Sequence, residues 1–339
     1  MSLIPASTES PDTFLQPLDH AITVVDTGFH RADFDAAYLV VSPEGRAAFI
    51  DTGHNAAVPR LLAALVHAGL HRDAVDWVIP THVHLDHAGG AGLLMANLPN
   101  ARALIHPRGA RHLINPLALV EGARAVYGPD EVLRTYGHVL PIDAGRVVES
   151  HDEMRVNLGS RALRLIDSPG HARHHHAIWD EASRGWFTGD TFGISYRDLD
   201  GAPLQPGGAP RVYIMPSSTP VQFEPDAMRA SIARMLAAQP DWIYPTHYGR
   251  LGNVPALAAQ VLEQVDAFEH GALAWARAHP GADAATREVG MVALMRHILL
   301  DAARRAGSPL SDEATAERLD IDIRLNGQGL AIWLAKQAA

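Results

Sequence analysis

Cysteine is absent from this chain of 339 residues. That excludes disulfides and thiolate ligands, and leaves imidazole and carboxylate to hold any metal. No apolar run reaches the roughly 18 residues a membrane-spanning helix needs. The start carries no basic stretch followed by an apolar core, so a cytoplasmic protein with no membrane partner is expected. Positive charge is short: 28 Lys and Arg against 38 Asp and Glu leave a net charge of −10. Proteins that neutralise phosphate backbones ordinarily carry a basic stripe, and no nucleic-acid partner is expected here. Aromatic residues make up only 6%, so the core must come from Val, Ile, Leu and Ala. Histidine is plentiful, with 20 residues, and its spacing carries the argument.

Short apolar runs alternate with helical periodicity along most of the chain. Ala21–Val25, Ala36–Val41 and Arg46–Ile50 read as strands, the last two joined as a hairpin by Ser42-Pro43-Glu44-Gly45. Val58–Leu70 has Leu61, Leu62, Leu65 and Val66 at helical spacing. Val75–Ile79 is a buried strand that stops at Pro80. A helix over Gly89–Asn97 and a strand over Ala101–His106 follow, then a mostly helical stretch over 108–136. Further strands are expected at 154–158, 162–166, 177–179, 185–187 and 242–244, with a helix over 226–238. After residue 251 the pattern is almost entirely helical, around 255–278, 286–306 and 328–338. A division into 1–250 and a helical extension, 251–339, is expected.

Directly after the strand at 75–79 stands Thr81-His82-Val83-His84-Leu85-Asp86-His87-Ala88-Gly89. Four donors within six residues, at the end of an apolar strand, are more than a solvated loop requires. Imidazole and carboxylate together suit zinc, iron and manganese. Three other strand ends repeat the arrangement of an apolar run, a Pro or Gly break and a ligand-type side chain. They are Ser168-Pro169-Gly170-His171, Phe187-Thr188-Gly189-Asp190 and Tyr244-Pro245-Thr246-His247. Several strand ends supplying donors to one edge of a sheet is how α/β proteins preorganise a metal site.

With Ile50-Asp51-Thr52-Gly53 added, these motifs stand in the order of the metallo-β-lactamase superfamily. The sequence resembles that family over about 20–250, and more closely its glyoxalase II-like hydrolase branch. The resemblance implies an αββα sandwich of two mixed sheets with a helical C-terminal extension. It implies two divalent metal ions, zinc foremost, with iron or manganese as alternatives. His82, His84 and His171 would hold the first ion, Asp86, His87 and His247 the second, and Asp190 would bridge them. A hydroxide shared by two ions would attack the substrate carbonyl, Asp86 would accept a proton, and Asp51 would orient ligand imidazoles through their free N–H. No serine or cysteine nucleophile is needed.

The activity implied is hydrolysis of a small ester-like substrate: a thioester, a lactone or a related bond. The alternative is a diiron protein of the same fold that reacts with oxygen or nitric oxide. His84 stands where flavin-linked members commonly carry Glu, and no flavodoxin-like domain is expected, which favours hydrolysis. Arg108, Arg111, His112, Arg124 and Tyr127 lie in the long segment between His87 and His171, where loops often build substrate walls. His54 and His174–His176 follow metal-type motifs, and Tyr196 and Tyr248 are further polar candidates, without an assigned role.

Overall fold

The computed structural model describes residues 4–205, 207–218 and 221–337. Two compact units divide the chain, and neither is continuous in sequence. The first runs to Asp167 and also takes His174–Gly189 and Pro240–Leu251; the second takes Ser168–Arg173, Asp190–Gln239 and the chain from Gly252.

The first unit contains two mixed sheets. One has seven strands, whose order in the sheet is their order in the chain: β1 (Leu15–Pro17), β2 (Ile22–Asp26), β3 (Ala36–Val41), β4 (Ala47–Ile50), β5 (Val75–Ile79), β6 (Arg102–Ile105) and β7 (Val147–Glu149). Pairing is antiparallel as far as β4 and parallel beyond it. The change follows the connections. A tight turn, with Ser42 N–H donating to the Arg46 carbonyl at 2.8 Å, reverses the chain between β3 and β4. Parallel neighbours need a crossover, and helices supply it: α1 (Val58–His67) before β5, then α2 (Leu85–Ala88) and α3 (Ala91–Asn97) before β6. Ahead of β7 come α4 (Pro107–Ile114), α5 (Leu117–Tyr127) and α6 (Pro129–Tyr136).

The second sheet has the order β12 (Trp242–Tyr244), β11 (Gly185–Phe187), β10 (His176–Asp180), β9 (Arg161–Asp167), β8 (Arg155–Leu158), with only β11 and β12 parallel. The two-residue period of a strand assigns the faces. Val24, Tyr38, Val40, Ala48 and Ile50 share one core with Leu163, Leu165, Ile178, Phe187 and Tyr244 of the second sheet. The alternate residues Val25, Ala37, Leu39, Ala47 and Phe49 pack instead on Leu61, Leu62 and Leu65 of α1 and Leu94 of α3. One charged pair is sealed into this unit: Arg161 on β9 meets Asp180 on β10 through two bonds of 2.8 and 2.6 Å. The same guanidinium donates to the carbonyls of His20 and Val41.

The second unit contains α7 (Pro225–Ala237), α8 (Val254–Ala278), α9 (Ala284–Ala306), α10 (Asp312–Arg318) and α11 (Asp320–Gln337). Residue 338, expected in the last helix, lies outside the described residues. The long helices hold the irregular segments 190–205 and 207–218 by buried polar contacts. Gln264 of α8 donates to the Ile214 carbonyl at 2.8 Å, Tyr196 donates to Asp322 of α11 at 3.0 Å, and the Ser218 hydroxyl donates to Asn326 at 2.8 Å. Among the described residues no helix is long and apolar enough to cross a membrane.

The elements expected from periodicity are present, most with ends shifted by a few residues, while the last helix begins eight residues before its expected start, at Asp320. Periodicity misses β1, β7, α2 and α10. Residues 173–174 form a turn, and of His174–His176 only His176 enters β10.

Candidate metal centre

Three strand ends of the first unit deliver its donor groups, and Asp51 ties them together. It follows β4 with φ 56° and is fully buried. Its carboxylate accepts from Thr81 N–H at 2.6 Å and from the Thr81 hydroxyl at 3.0 Å, after β5. It accepts from the Thr246 hydroxyl at 2.6 Å, after β12. The remaining partner is His87 Nδ1, at 2.9 Å. Thr81 and Thr246 each sit immediately before a histidine in a Pro-Thr-His triplet, so one carboxylate sets the exit of two strands toward the same place.

His87 and Asp86 ride on the one-turn helix α2. Close packing against the loop after β4 fixes this turn: Thr52 N–H donates to the His87 carbonyl at 2.8 Å, and Gly90 N–H to the Gly53 carbonyl at 2.8 Å. A Cβ on Gly90 would stand 2.8 Å from the His54 carbonyl oxygen, so no larger residue fits there.

The hydrogen bonds also choose which ring nitrogen faces inward. His87 presents Nδ1 to Asp51, and His247 presents Nδ1 to the Phe34 carbonyl at 2.6 Å. Each ring therefore carries its proton on Nδ1 and offers the Nε2 lone pair, which is how protein-bound imidazole ligands are usually oriented. His87 Nε2 and His247 Nε2 lie 3.7 and 3.4 Å from one Asp86 oxygen, and donor atoms of all three residues lie within 4.8 Å of one another. Ligands about 2.0–2.1 Å from a tetrahedral zinc stand roughly 3.3 Å apart. Donor type, tautomer and spacing thus fit a divalent ion. His82 and His84 are a tighter pair, with His82 Nε2 2.7 Å from His84 Nδ1. That is a hydrogen-bond distance, and the pair must open slightly to share an ion.

His171 and Asp190 belong to the second unit. His171 follows Gly170, whose φ of 137° and lack of a side chain are both required, because a Cβ there would meet the Met228 backbone at 2.4 Å. His171 repeats the tautomer logic: Nδ1 lies 3.1 Å from the Ser217 carbonyl oxygen and Nε2 3.5 Å from Asp190. Thr191 donates to the Ser168 carbonyl at 2.8 Å, joining the segments that carry the two donors.

Other histidines serve the framework. His176 is buried between the Ser150 hydroxyl, 2.9 Å from Nδ1, and the Pro80 carbonyl, 2.8 Å from Nε2. Burial pushes it down to about 3, so it stays neutral. His106 pairs with Asp167 at 2.9 Å. Arg111 and Arg124 are paired with neighbours on their own helices, His112 and Glu121. Tyr196 is buried in the second unit, and Tyr248 is buried in the first.

Sequence reasoning overlooked Thr81, Thr246 and Phe34. The twice-occurring Pro-Thr-His was a usable signal for the threonines. Nothing in the sequence marks Phe34, which acts through its backbone carbonyl.

Residues 23–247 match the family model of the metallo-beta-lactamase superfamily. A metallo-beta-lactamase fold-containing protein of Sulfurisphaera tokodaii is 30% identical over 131 residues, 38% of this chain and 48% of that protein. The chain therefore spans about half the length of that relative. Hydroxyacylglutathione hydrolase of Cupriavidus taiwanensis is 30% identical over 215 residues, 61% of this chain and 69% of that enzyme. Among solved structures, an archaeal metallo-beta-lactamase superfamily protein from Sulfolobus tokodaii superposes with a TM-score of 0.61 at 20% identity, covering 92% of this chain and 99% of the other.

Proposed function

Because the chain belongs to the metallo-β-lactamase superfamily, we propose that it is a binuclear metal-dependent hydrolase of small ester-like substrates, thioesters or lactones above all, on the glyoxalase II-like side of that family. The observation that carries this reading is the Asp51-held cluster of Asp86, His87 and His247, with both imidazoles turned to offer Nε2. The relationship to hydroxyacylglutathione hydrolase supports the hydrolytic reading.

In this proposal Asp86, His87 and His247 hold one ion, His82, His84 and His171 a second, and Asp190 serves both. Zinc suits the all-nitrogen-and-oxygen donor set, as do iron and manganese. A bound divalent pair supplies polarisation of the substrate carbonyl and acidification of water toward neutrality. The chain's own residues do the rest. Asp86, partly exposed beside two imidazoles, takes the proton released as water adds to the carbonyl. Asp51 holds the His87 ring in one tautomer, and the Phe34 carbonyl does so for His247. We assign this chemistry to 1–250 and substrate selection to walls built by 108–136 and by the helices after 251.

Metal analysis combined with a hydrolysis screen over thioesters, lactones and phosphodiesters tests the proposal. We expect two ions per chain, hydrolysis of a small thioester or lactone, and loss of activity on chelation. Asp190→Ala should lose both ions and His247→Ala mainly one. Full activity in demonstrably metal-free protein would overturn the reading. Two irons with an oxygen-dependent optical spectrum and no hydrolysis would establish the redox alternative instead.

A further inference from the structure

Pro80 and Thr81 lead from β5 into His82, and one residue of the other sheet grips both. His176, the first residue of β10, donates its backbone N–H to the Thr81 carbonyl at 2.9 Å and its ring Nε2–H to the Pro80 carbonyl at 2.8 Å. A carbonyl only accepts, so the ring proton sits on Nε2 and Nδ1 is left as an acceptor. The Ser150 hydroxyl donates to it at 2.9 Å. Ser150 follows β7, and its own N–H donates to the Ile105 carbonyl, at the end of β6, at 2.8 Å. Burial holds the His176 ring neutral down to about pH 3, so this relay keeps one polarity.

A second histidine crosses between the sheets in the opposite direction. His106, after β6, accepts from Arg108 N–H on Nδ1 and donates from Nε2 to Asp167 at 2.9 Å. Asp167 ends β9 and is the register partner of His176. The ends of β5, β6 and β7 are thereby tied to β9 and β10 at the point where β5 releases the donor motif. Thr81 is held from two sides: Asp51 accepts from its N–H and hydroxyl, and His176 donates to its carbonyl. The consequence falls on His82 and His84, whose facing nitrogens are 2.7 Å apart. A small rotation of the chain at Pro80–Thr81 decides whether both can face one ion. His87 and His247 do not depend on it, because Asp51 and the Phe34 carbonyl orient their rings.

We propose that His176 is a positioning residue for the metal centre: through the Pro80 carbonyl it sets the direction in which His82 and His84 leave β5, and so the affinity of the ion those two histidines hold. It touches no ion itself. Groups outside the ligand set that fix ligand geometry tune metal affinity strongly. Loss of the ring would leave a buried carbonyl and a buried hydroxyl without their partner, and the chain at Pro80 would turn to find others. The effect is selective, since the ion assigned to Asp86, His87 and His247 has its own supports. This inference rests on the metal assignment of the proposed function, and its test separates the two.

Cobalt(II) is the probe, with its visible absorption reporting the ligands and chelator competition giving affinity. His247→Ala should keep the ion at His82 and His84, and His84→Ala the ion at Asp86, His87 and His247. Adding His176→Leu, which neither donates nor accepts, should weaken the ion in the first background by about tenfold or more and shift its absorption. In the second background the change should stay below about twofold, as for independent sites. His176→Gln, which can again donate to Pro80 and accept from Ser150, should restore both affinity and spectrum. Ser150→Ala keeps the ring but removes its outer anchor, and should weaken the same ion by a smaller factor. That variant carries the test if melting temperatures show that His176→Leu does not fold. A merely structural role would lower the melting temperature and loosen both ions alike. Equal weakening in the two backgrounds, or an unchanged ion in folded His176→Leu, would overturn the proposal. Two cobalt ions in the wild type without hydrolysis of any ester would leave the brace standing and remove the hydrolase reading. A wild type that takes up no cobalt would remove both.

Discussion

Asp51 spends both carboxylate oxygens on three segments: Thr81, Thr246 and the His87 ring. Its sequence context, Asp-Thr-Gly, is equally that of a simple turn, and only the repeated Pro-Thr-His hinted that two threonines point back at it. Asp51→Asn keeps the volume but puts an amide N–H in place of an acceptor, so at least one donor loses its partner. Orienting groups of this kind typically contribute 10–100-fold in metal affinity; a fall of that size, read by chelator competition, is expected. Buried histidines give the residue scale a pH dependence. Burial lowers His176 to about 3 and His54 to about 4, from an ordinary value of 6.5. Between pH 6.5 and 4 the unfolded chain binds protons that the folded chain refuses. Stability therefore falls as pH drops through that window, by about 1.4 kcal/mol per pH unit per histidine, and is unaffected above it. Thermal melts of metal-free protein should steepen below pH 6.5, and His176→Gln should flatten the slope. An unchanged slope would show that His176 does not carry the effect.

At the scale of elements, what was legible follows from how apolar and how long each run is, and from how clearly it stops. Strands such as β3 and β4 show continuous apolar runs with clear stops, and their ends read directly from the sequence. The strands β1 and β7 have three residues each and form the two edges of their sheet. Short edges protect a sheet from pairing with other chains, and three residues cannot establish a two-residue period. Helix α2 escapes detection for a related reason: one turn of backbone is occupied by donor groups rather than by an apolar face. The β9–β10 pair carries a feature no periodicity reveals, the buried bond between Arg161 and Asp180. Removing one partner of such a pair leaves an uncompensated charge, at a cost of about 3–5 kcal/mol. Arg161→Met should lower stability by that order in denaturant titrations. Arg161→Met with Asp180→Leu should recover much of the loss; if the double substitution is as damaging as the single, charge burial is not the cause.

At the scale of the molecule, the sequence suggests consecutive segments, whereas the second compact unit interleaves with the first along the chain. The segments 190–205 and 207–218, the first of which begins with Asp190, are held by Gln264 of α8 and by Asp322 and Asn326 of α11. No local pattern announces this, because Tyr196 and Asp322 are 126 residues apart. Removing the chain after Leu251 would thus take away more than substrate-selecting surface. We expect the truncated protein to bind fewer than two ions per chain, as measured by elemental analysis. Retention of both ions would mean that the helices are dispensable for holding the donors.

The same interleaving has a consequence for how the protein is made. A ribosome releases the strands in order, and with Leu251 the last strand of both sheets has emerged. The segments carrying His171 and Asp190 are by then already outside the ribosome, but the helices that grip the stretch after Asp190 have not yet emerged. Domains generally fold as units during synthesis, so the first unit can form while those two donors are still loosely held. On the proposed assignment, an ion that needs His171 or Asp190 would be loaded after translation rather than during it, and a chain interrupted beyond Leu251 is expected to hold fewer ions.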